Sequence, residues 1–241
     1  MISYGITDVG IKRKVNQDTV YFSDTRIGNL PNLYIVADGM GGELAGDYAS
    51  AKCVETVVDC IMNCREYEPV RIIEQAIQSA NQIIYTEAKT DPDKAGMGTT
   101  LVIATVIEGH LYVANVGDSR LYVATPKKLL QITKDHSVVA ELVRTGELDA
   151  DVARTDNRKN MITRAVGAEK RVSPDYFDVI LKGGERILLC SDGLTNMVED
   201  EEIYSIVTAD GSPEARARKL IRLANSNGGK DNISVIIIEN L

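Results

Sequence analysis

Apolar positions along this chain follow two rhythms, and the switches between them mark its elements. Short apolar or alternating runs predict strands near 2–9, 19–24, 33–37, 100–107, 111–117, 120–125, 176–181, 186–190 and 233–238. Helical spacing predicts helices near 43–65, 70–88, 136–145, 199–208 and 213–226. In the first of these, Ala45, Ala49, Cys53, Val57, Cys60 or Ile61, and Cys64 share one face. In the second, Val70, Ile73, Ala76 or Ile77, Ala80, and Ile83 or Ile84 repeat the pattern. The order is strands, two helices, strands, helix, strands, two helices, strand. That order lacks the alternation of a doubly wound parallel sheet and predicts mostly antiparallel sheets with helices outside. ATVIEGHLYVANV and VGDSRLYVA read as successive hairpins, bent at Glu108-Gly109 and Gly117-Asp118. No repeat or linker interrupts the chain, so one domain over 1–241 is expected. The polar stretch GELDADVARTDNRKN, 146–160, reads as a surface loop or flap, within a flap region of about 137–165.

Composition narrows the function classes. The 241 residues suffice for a full core, which must be aliphatic, with no Trp, two Phe and ten Tyr. A net charge of -8 argues against nucleic acid as partner. No apolar run approaches the 18 residues of a membrane span, and MISYGITDVGIKRKVNQD lacks the apolar core of a signal peptide. A cytoplasmic protein without a membrane partner is expected. Cys53, Cys60, Cys64 and Cys190 form no Cys-x-x-Cys, and His110 and His136 are the only histidines. Small buried thiols explain these cysteines better than zinc or a disulfide.

Residues 34–42, YIVADGMGG, pose the sharpest chemical question. An apolar run ends at Asp38, and Gly39, Gly41 and Gly42 fill three of the next four places. A hairpin turn would need a second strand, but a helical pattern comes next. A phosphate cradle fits strand, glycine-rich turn and helix. However, there is no Gly-Lys-Ser/Thr, and Leu44 stands where a dinucleotide fingerprint needs glycine or alanine.

Asp38 has company. Asp18 opens DTVYFS, so a hairpin through 24–32 would bring Asp18 and Asp38 to one edge. Asp192 closes RILLCSD, Asp231 opens DNISVIIIE, and Asp118 sits in the bend VGDSR. Each alone has a dull reading as a turn or cap residue. Five together cannot all stay ionised without a cation, and Lys and Arg are scarce around them. Oxygen donors without His or Cys select hard ions, Mg²⁺ or Mn²⁺. A pair of such ions is the usual engine of phosphoester hydrolysis. Arg13, five residues before Asp18, offers a planar fork suited to phosphate.

GIKRKVNQD, VADGMGG, GMGTTL, NVGDSRLY, TKDHS, TRAVG, LLCSDGLTNMV and GGKDNISVI occur in order. Together they resemble the motif set of the type 2C, metal-dependent Ser/Thr protein phosphatases in their bacterial form, from about residue 3 to residue 238. The resemblance implies an α+β fold, a four-layer αββα sandwich of two mostly antiparallel sheets flanked by helices. It implies hydrolysis of phosphoserine and phosphothreonine by direct attack of a hydroxide bridging two divalent metals. By position, Asp38 would bridge the metals and so be catalytic. Asp192 and Asp231 would hold the first metal, and the Gly39 carbonyl the second. Asp18 would support that shell, with Gln17 standing where many members have Glu. Asp118 with Asp192 would hold a third, weaker ion, and Arg13 would bind the substrate phosphate. Ser119 and Asn232 would support the ligands, and His136 would be structural. Met40 replaces the histidine that many eukaryotic members use as general acid, so no proton donor stands there. The resemblance also implies phosphorylated proteins as partners, an opposing Ser/Thr kinase among them, and a monomer. The rival readings are a non-catalytic phosphate- or metal-sensing module, which intact ligand positions disfavour, and a dinucleotide oxidoreductase.

Overall fold

The computed structural model describes residues 1–42, 45–149, 152 and 156–239. The strands are β1 (Ile2–Asp8), β2 (Asp18–Ser23), β3 (Leu33–Met40), β4 (Gly98–Thr99), β5 (Leu101–Ile107), β6 (His110–Val116), β7 (Arg120–Ala124), β8 (Leu129–Gln131), β9 (Asp175–Ile180), β10 (Arg186–Cys190) and β11 (Ile233–Glu239). The helices are α1 (Ala45–Asn63), α2 (Pro69–Thr90), α3 (Val138–Thr145), α4 (Asp192–Thr195), α5 (Asp200–Thr208) and α6 (Pro213–Ser226). One sheet runs β1-β11-β10-β7-β8 and the other β2-β3-β5-β6-β9, with β4 added beside β3. Every pairing in both sheets is antiparallel.

The layering explains why the central strands read as unbroken apolar runs. Along β3, Tyr34 and Val36 enter the space between the sheets, while Ile35 and Ala37 face helices α1 and α2. Along β11, Ile236 and Ile238 face inward, while Val235 and Ile237 meet α5 and α6. Both faces of each strand are covered, so the alternation of a half-exposed strand is absent. This is the four-layer αββα sandwich.

Three local readings need correction. VGDSR is no hairpin bend: β6 and β7 lie in different sheets, and Gly117-Asp118 carries the chain across. Gly117 makes the step with φ of +102°, where a Cβ would lie 2.6 Å from Thr100. Runs buried on both faces do not reveal which sheet they join, so periodicity suggested a pairing that does not form. Secondly, β3 continues past Asp38 to Met40, because β4 pairs with Gly39 and Met40. Thirdly, Asp192 does not close a strand: β10 ends at Cys190, and Asp192 begins the single turn of α4.

The stretch expected to form a flap starts with α3, capped by the Ser137 hydroxyl and closed by Gly146 in the left-handed conformation. Its base is stapled by Val138 N–H to the Met161 carbonyl at 2.8 Å and Thr163 N–H to the His136 carbonyl at 2.8 Å. Positions 43, 44, 150, 151, 153–155, 240 and 241 lie outside the described residues, among them Leu44 and part of the 146–160 loop. No helix among the described residues is long and apolar enough to cross a membrane. All four cysteines are free.

Candidate active site

Register builds the site first. In the β2–β3 pair Asp18 stands directly opposite Asp38. Ser191 N–H bonds the Ser234 carbonyl at 3.1 Å, which sets the start of α4 beside the start of β11 and so Asp192 near Asp231. Glycine permits the closeness: a Cβ on Gly193 would lie 1.9 Å from the Asn232 carbonyl oxygen. The sheet crossover then delivers Asp118. Asp38, Asp118, Asp192 and Asp231 line one cavity of about 220 Å³ with Arg13 and Gly39. Asp18 lies behind it, only 7% exposed.

The neighbours explain how such crowding persists. The Asp38 N–H donates to Thr100 Oγ1 at 2.9 Å, and Thr99 Oγ1 donates to the Asp38 carbonyl at 2.9 Å. Ser119 Oγ meets Thr100 Oγ1 at 2.7 Å, tying the crossover to β3. Ser191 Oγ donates to Asp18 Oδ2 at 2.7 Å, and Asn196 Nδ2 to Asp192 Oδ2 at 2.8 Å. The Gln17 carbonyl accepts from Gly39 N–H at 3.0 Å and from Ser50 Oγ at 2.6 Å. Gln17 thus acts here through its backbone, while its side-chain amide reaches the Gly42 carbonyl at 3.3 Å. Asn232 staples the Arg13 loop, donating to the Val9 and Val15 carbonyls at 3.0 Å each and accepting from Gln17 N–H at 2.8 Å. Buried His136 accepts from Gly117 N–H through Nδ1 at 3.1 Å, with Nε2 3.3 Å from Asp175 Oδ2. Burial lowers its pKa, and it braces the crossover rather than facing the cavity.

The carboxylates resist ionisation. Burial, then Asp18 and Asp192, holds Asp38 well above the ordinary carboxylate range. Burial first, and neighbouring aspartates after it, raises Asp18 to about 7, Asp118 to about 8 and Asp192 to about 6. Cations are nearer than the sequence suggested. Arg13 Nη2 donates to Asp231 Oδ2 at 2.8 Å, the bond that chiefly raises the Arg13 pKa. Arg120 and Lys159 partly offset Asp118 and Asp192 through their charge.

A hard divalent cation fits this donor set. Asp18 Oδ1 is buried without a hydrogen-bond partner, which is costly unless a cation or water completes it. Among the described residues no three His, Cys, Asp or Glu side chains already close on a single point. The convergence of five carboxylates around one cavity is nonetheless the weightier observation. Magnesium-like ions keep several waters and need only one or two carboxylates each, with a carbonyl such as that of Gly39 completing the set.

The sign of these shifts gives a test. A carboxylate with raised folded-state pKa stabilises the fold fully below about pH 4 and withdraws that stability as pH rises through its folded pKa. For Asp192, Asp18 and Asp118 the window closes at about 6, 7 and 8. Cations bound by these carboxylates would replace the protons. The melting temperature with Mn²⁺ minus that with chelator is therefore expected to widen from pH 5 to pH 8, and a constant gap would contradict the placement of these groups.

Thr100, Ser191 and Asn196 were not singled out from the sequence, although GMGTTL and SDGLTN carry them. Ser191, next to Asp192, carried a local signal, whereas Asn196 lies one helical turn beyond Asp192 and Thr100 is distant in sequence from every candidate ligand.

Stacked antiparallel sheets between helix pairs, with aspartates gathered around one cavity, define the architecture of a metal-dependent phosphatase. The model of the Protein phosphatase 2C family matches residues 23–233, and the chain belongs to that family. The serine/threonine phosphatase stp of Listeria welshimeri is 41% identical over 239 residues, spanning 97% of this chain and 93% of that protein. Protein phosphatase PhpP of Streptococcus pneumoniae is 38% identical over 241 residues, spanning 97% and 95%. The catalytic domain of serine threonine protein phosphatase PstP, solved in complex with two manganese ions, superposes with a TM-score of 0.86 at 32% identity, covering 98% of this chain and 96% of that one.

Proposed function

We propose that this chain removes phosphate from phosphoserine and phosphothreonine in proteins, as a metal-dependent phosphatase. The reading rests on one observation above all: four buried or half-buried aspartates and Arg13 share one cavity. Two divalent cations, Mn²⁺ or Mg²⁺, would be held by Asp38, Asp192, Asp231 and the Gly39 carbonyl, with Asp18 behind them. Asp118, with Asp192, would take a third. When bound, such ions acidify water for attack on phosphorus and neutralise the developing charge.

The chain's own residues do the rest. Asp38 places a carboxylate at the centre of the cluster, fixed through its backbone by Thr99 and Thr100. Arg13 spends one donor on Asp231 and keeps the rest of its five-donor fork for phosphate. Asn232 holds the loop that presents it. Thioether Met40 lines the cavity and donates no proton to the leaving oxygen.

The wider reading is a single catalytic domain over 1–241, with a flap at about 137–165. It would work as a cytoplasmic monomer opposing a Ser/Thr protein kinase in signalling. The names of the stp and PhpP relatives support the phosphatase part of this reading.

The deciding experiment is hydrolysis of p-nitrophenyl phosphate and a phosphothreonine peptide, with Mn²⁺ and with chelator. Turnover of both, lost with chelator, is expected. Metal binding without turnover would favour a sensing module. Arg13→Ala is expected mainly to raise KM and to lower kcat/KM by about ten- to a hundredfold, the worth of a charged hydrogen bond. A variant with both parameters intact would place Arg13 away from the phosphate.

A further inference from the structure

Beside the aspartate cavity lies a larger groove of about 480 Å³ that shares Asp118 and Asp192 with it. Val139, Ala140 and Val143 of α3 give it an apolar wall. Its charged side chains divide into committed and uncommitted ones. Arg120 makes three hydrogen bonds to Asp135, at 2.7–3.1 Å, and a fourth to Tyr122 Oη at 2.9 Å. Asp135 also accepts from Gln131 Nε2 at 2.9 Å, and Asp200 accepts from Tyr122 Oη at 3.3 Å. Asp135 and Asp200 are thus engaged, and the groove's other two acids, Asp118 and Asp192, are those it shares with the aspartate cavity.

Lys159 differs. Its ammonium makes no hydrogen bond or ion pair among the described residues. It is half-buried on the groove wall, near enough to Asp192 to act on it through its charge. The turn that carries it is built. Asp156 accepts from Arg158 N–H at 2.8 Å and pairs with the Arg158 guanidinium at 2.8 Å, so the neighbouring cation is consumed within the turn. Lys159 N–H bonds the Asp156 carbonyl at 3.2 Å, and the stapled base at 136–138 and 161–163 anchors the chain just beyond Lys159. The next residue, Asn160, already lines the aspartate cavity. A substrate residue entering that cavity must lay its chain neighbours in the space alongside.

We propose that Lys159 is a substrate-selecting residue: its ammonium takes a carboxylate that flanks the phosphorylated residue of the substrate protein, in the groove beside the aspartate cavity. The inference rests on the phosphatase reading and adds the substrate class, phosphosites with a nearby acidic side chain. A basic flanking residue would meet the one uncommitted cation found in the groove among the described residues and be disfavoured. A charge-assisted contact at a half-exposed position gives a preference of about three- to tenfold.

The test uses the parent, Lys159→Ala and Lys159→Glu with saturating Mn²⁺. Substrates are phosphothreonine peptides carrying Glu, Ala or Lys at each position within two residues of the phosphosite, with p-nitrophenyl phosphate in parallel. The readout is the ratio of kcat/KM for Glu- and Lys-bearing peptides. The parent is expected to favour Glu at one position or more, Lys159→Ala to flatten that ratio, and Lys159→Glu to invert it. A ratio unmoved by either substitution overturns the proposal. So does an equal loss on p-nitrophenyl phosphate accompanied by weaker Mn²⁺ binding in calorimetry, which would assign Lys159 to Asp192 instead. If the parent hydrolyses neither peptide nor p-nitrophenyl phosphate, the phosphatase reading itself fails, and the proposal with it.

Discussion

Asp38→Ala is expected to lose nearly all activity, about a thousandfold or more, while its metal-free form melts higher than the metal-free parent. The two halves share one cause. Asp38 stands opposite Asp18 and feels the charge of Asp18, Asp192, Asp118 and Asp231. Removing it would deprive the proposed cations of their central donor, and metal stabilisation of a phosphoryl transition state is worth several kcal/mol, about tenfold in rate for each ~1.4 kcal/mol. Removing it also relieves a crowded, buried set of like charges, which a functional site tolerates at the expense of stability. The Asp38 backbone bonds to Thr99 and Thr100 survive the change, so the strand itself is not undone. Calorimetry with Mn²⁺ and melting in chelator measure both halves. Unchanged metal affinity would remove Asp38 from the centre of the site, and a lower metal-free melting temperature would show that the crowding is not repulsive.

Gly39→Ala is the second large effect, and it acts by shape. A Cβ at this position would lie 1.9 Å from the Gly46 carbonyl oxygen and 2.7 Å from the Gln17 carbonyl oxygen. Neither is a flexible side-chain tip. The strand must retreat from α1 or from the Gln17 loop, and either movement displaces the Gly39 carbonyl and the adjoining Asp38. Overpacking of this kind costs about 1–3 kcal/mol, and for a chain of this size each kcal/mol lowers the melting temperature by about 2–4 °C. Activity is expected to fall about a hundredfold or more, beyond what the lost stability explains, because a 1 Å misplacement of reacting groups can itself cost that much. Activity measured well below the melting point separates the two. A variant with parent activity and a parent melting curve would mean that this close approach is not what fixes the site.

The elements most legible in the sequence were those with long, regular burial. The helices at 69–90 and 213–226 and the strands at 186–190 and 233–239 stand within two residues of the expected bounds. Asp18 facing Asp38 came from hairpin logic alone. The two-residue strand β4, the three-residue β8 and the single turn α4 were missed, because so few residues carry no period. The crossover at Gly117-Asp118 was misread because its flanking runs are apolar on both faces. For the site, residue type marked the aspartates, yet not the hydroxyls of Thr100 and Ser191 that hold them. Neither Arg120 nor Lys159 was marked by the sequence: the structure pairs Arg120 with Asp135 and leaves the Lys159 ammonium without a partner among the described residues.

The position of β11 has a consequence for the order in which the molecule can be made. It is the last of the described strands, yet it lies inside its sheet, hydrogen-bonded to β1 on one side and β10 on the other. Until β11 has emerged, β1 has no partner in its sheet and β10 presents an open, apolar edge, the kind of surface that invites wrong pairing. Asp231 and the Asn232 staple arrive with the same segment. A nascent chain therefore lacks the assembled site until β11 has emerged, and over that interval its sheet is left incomplete.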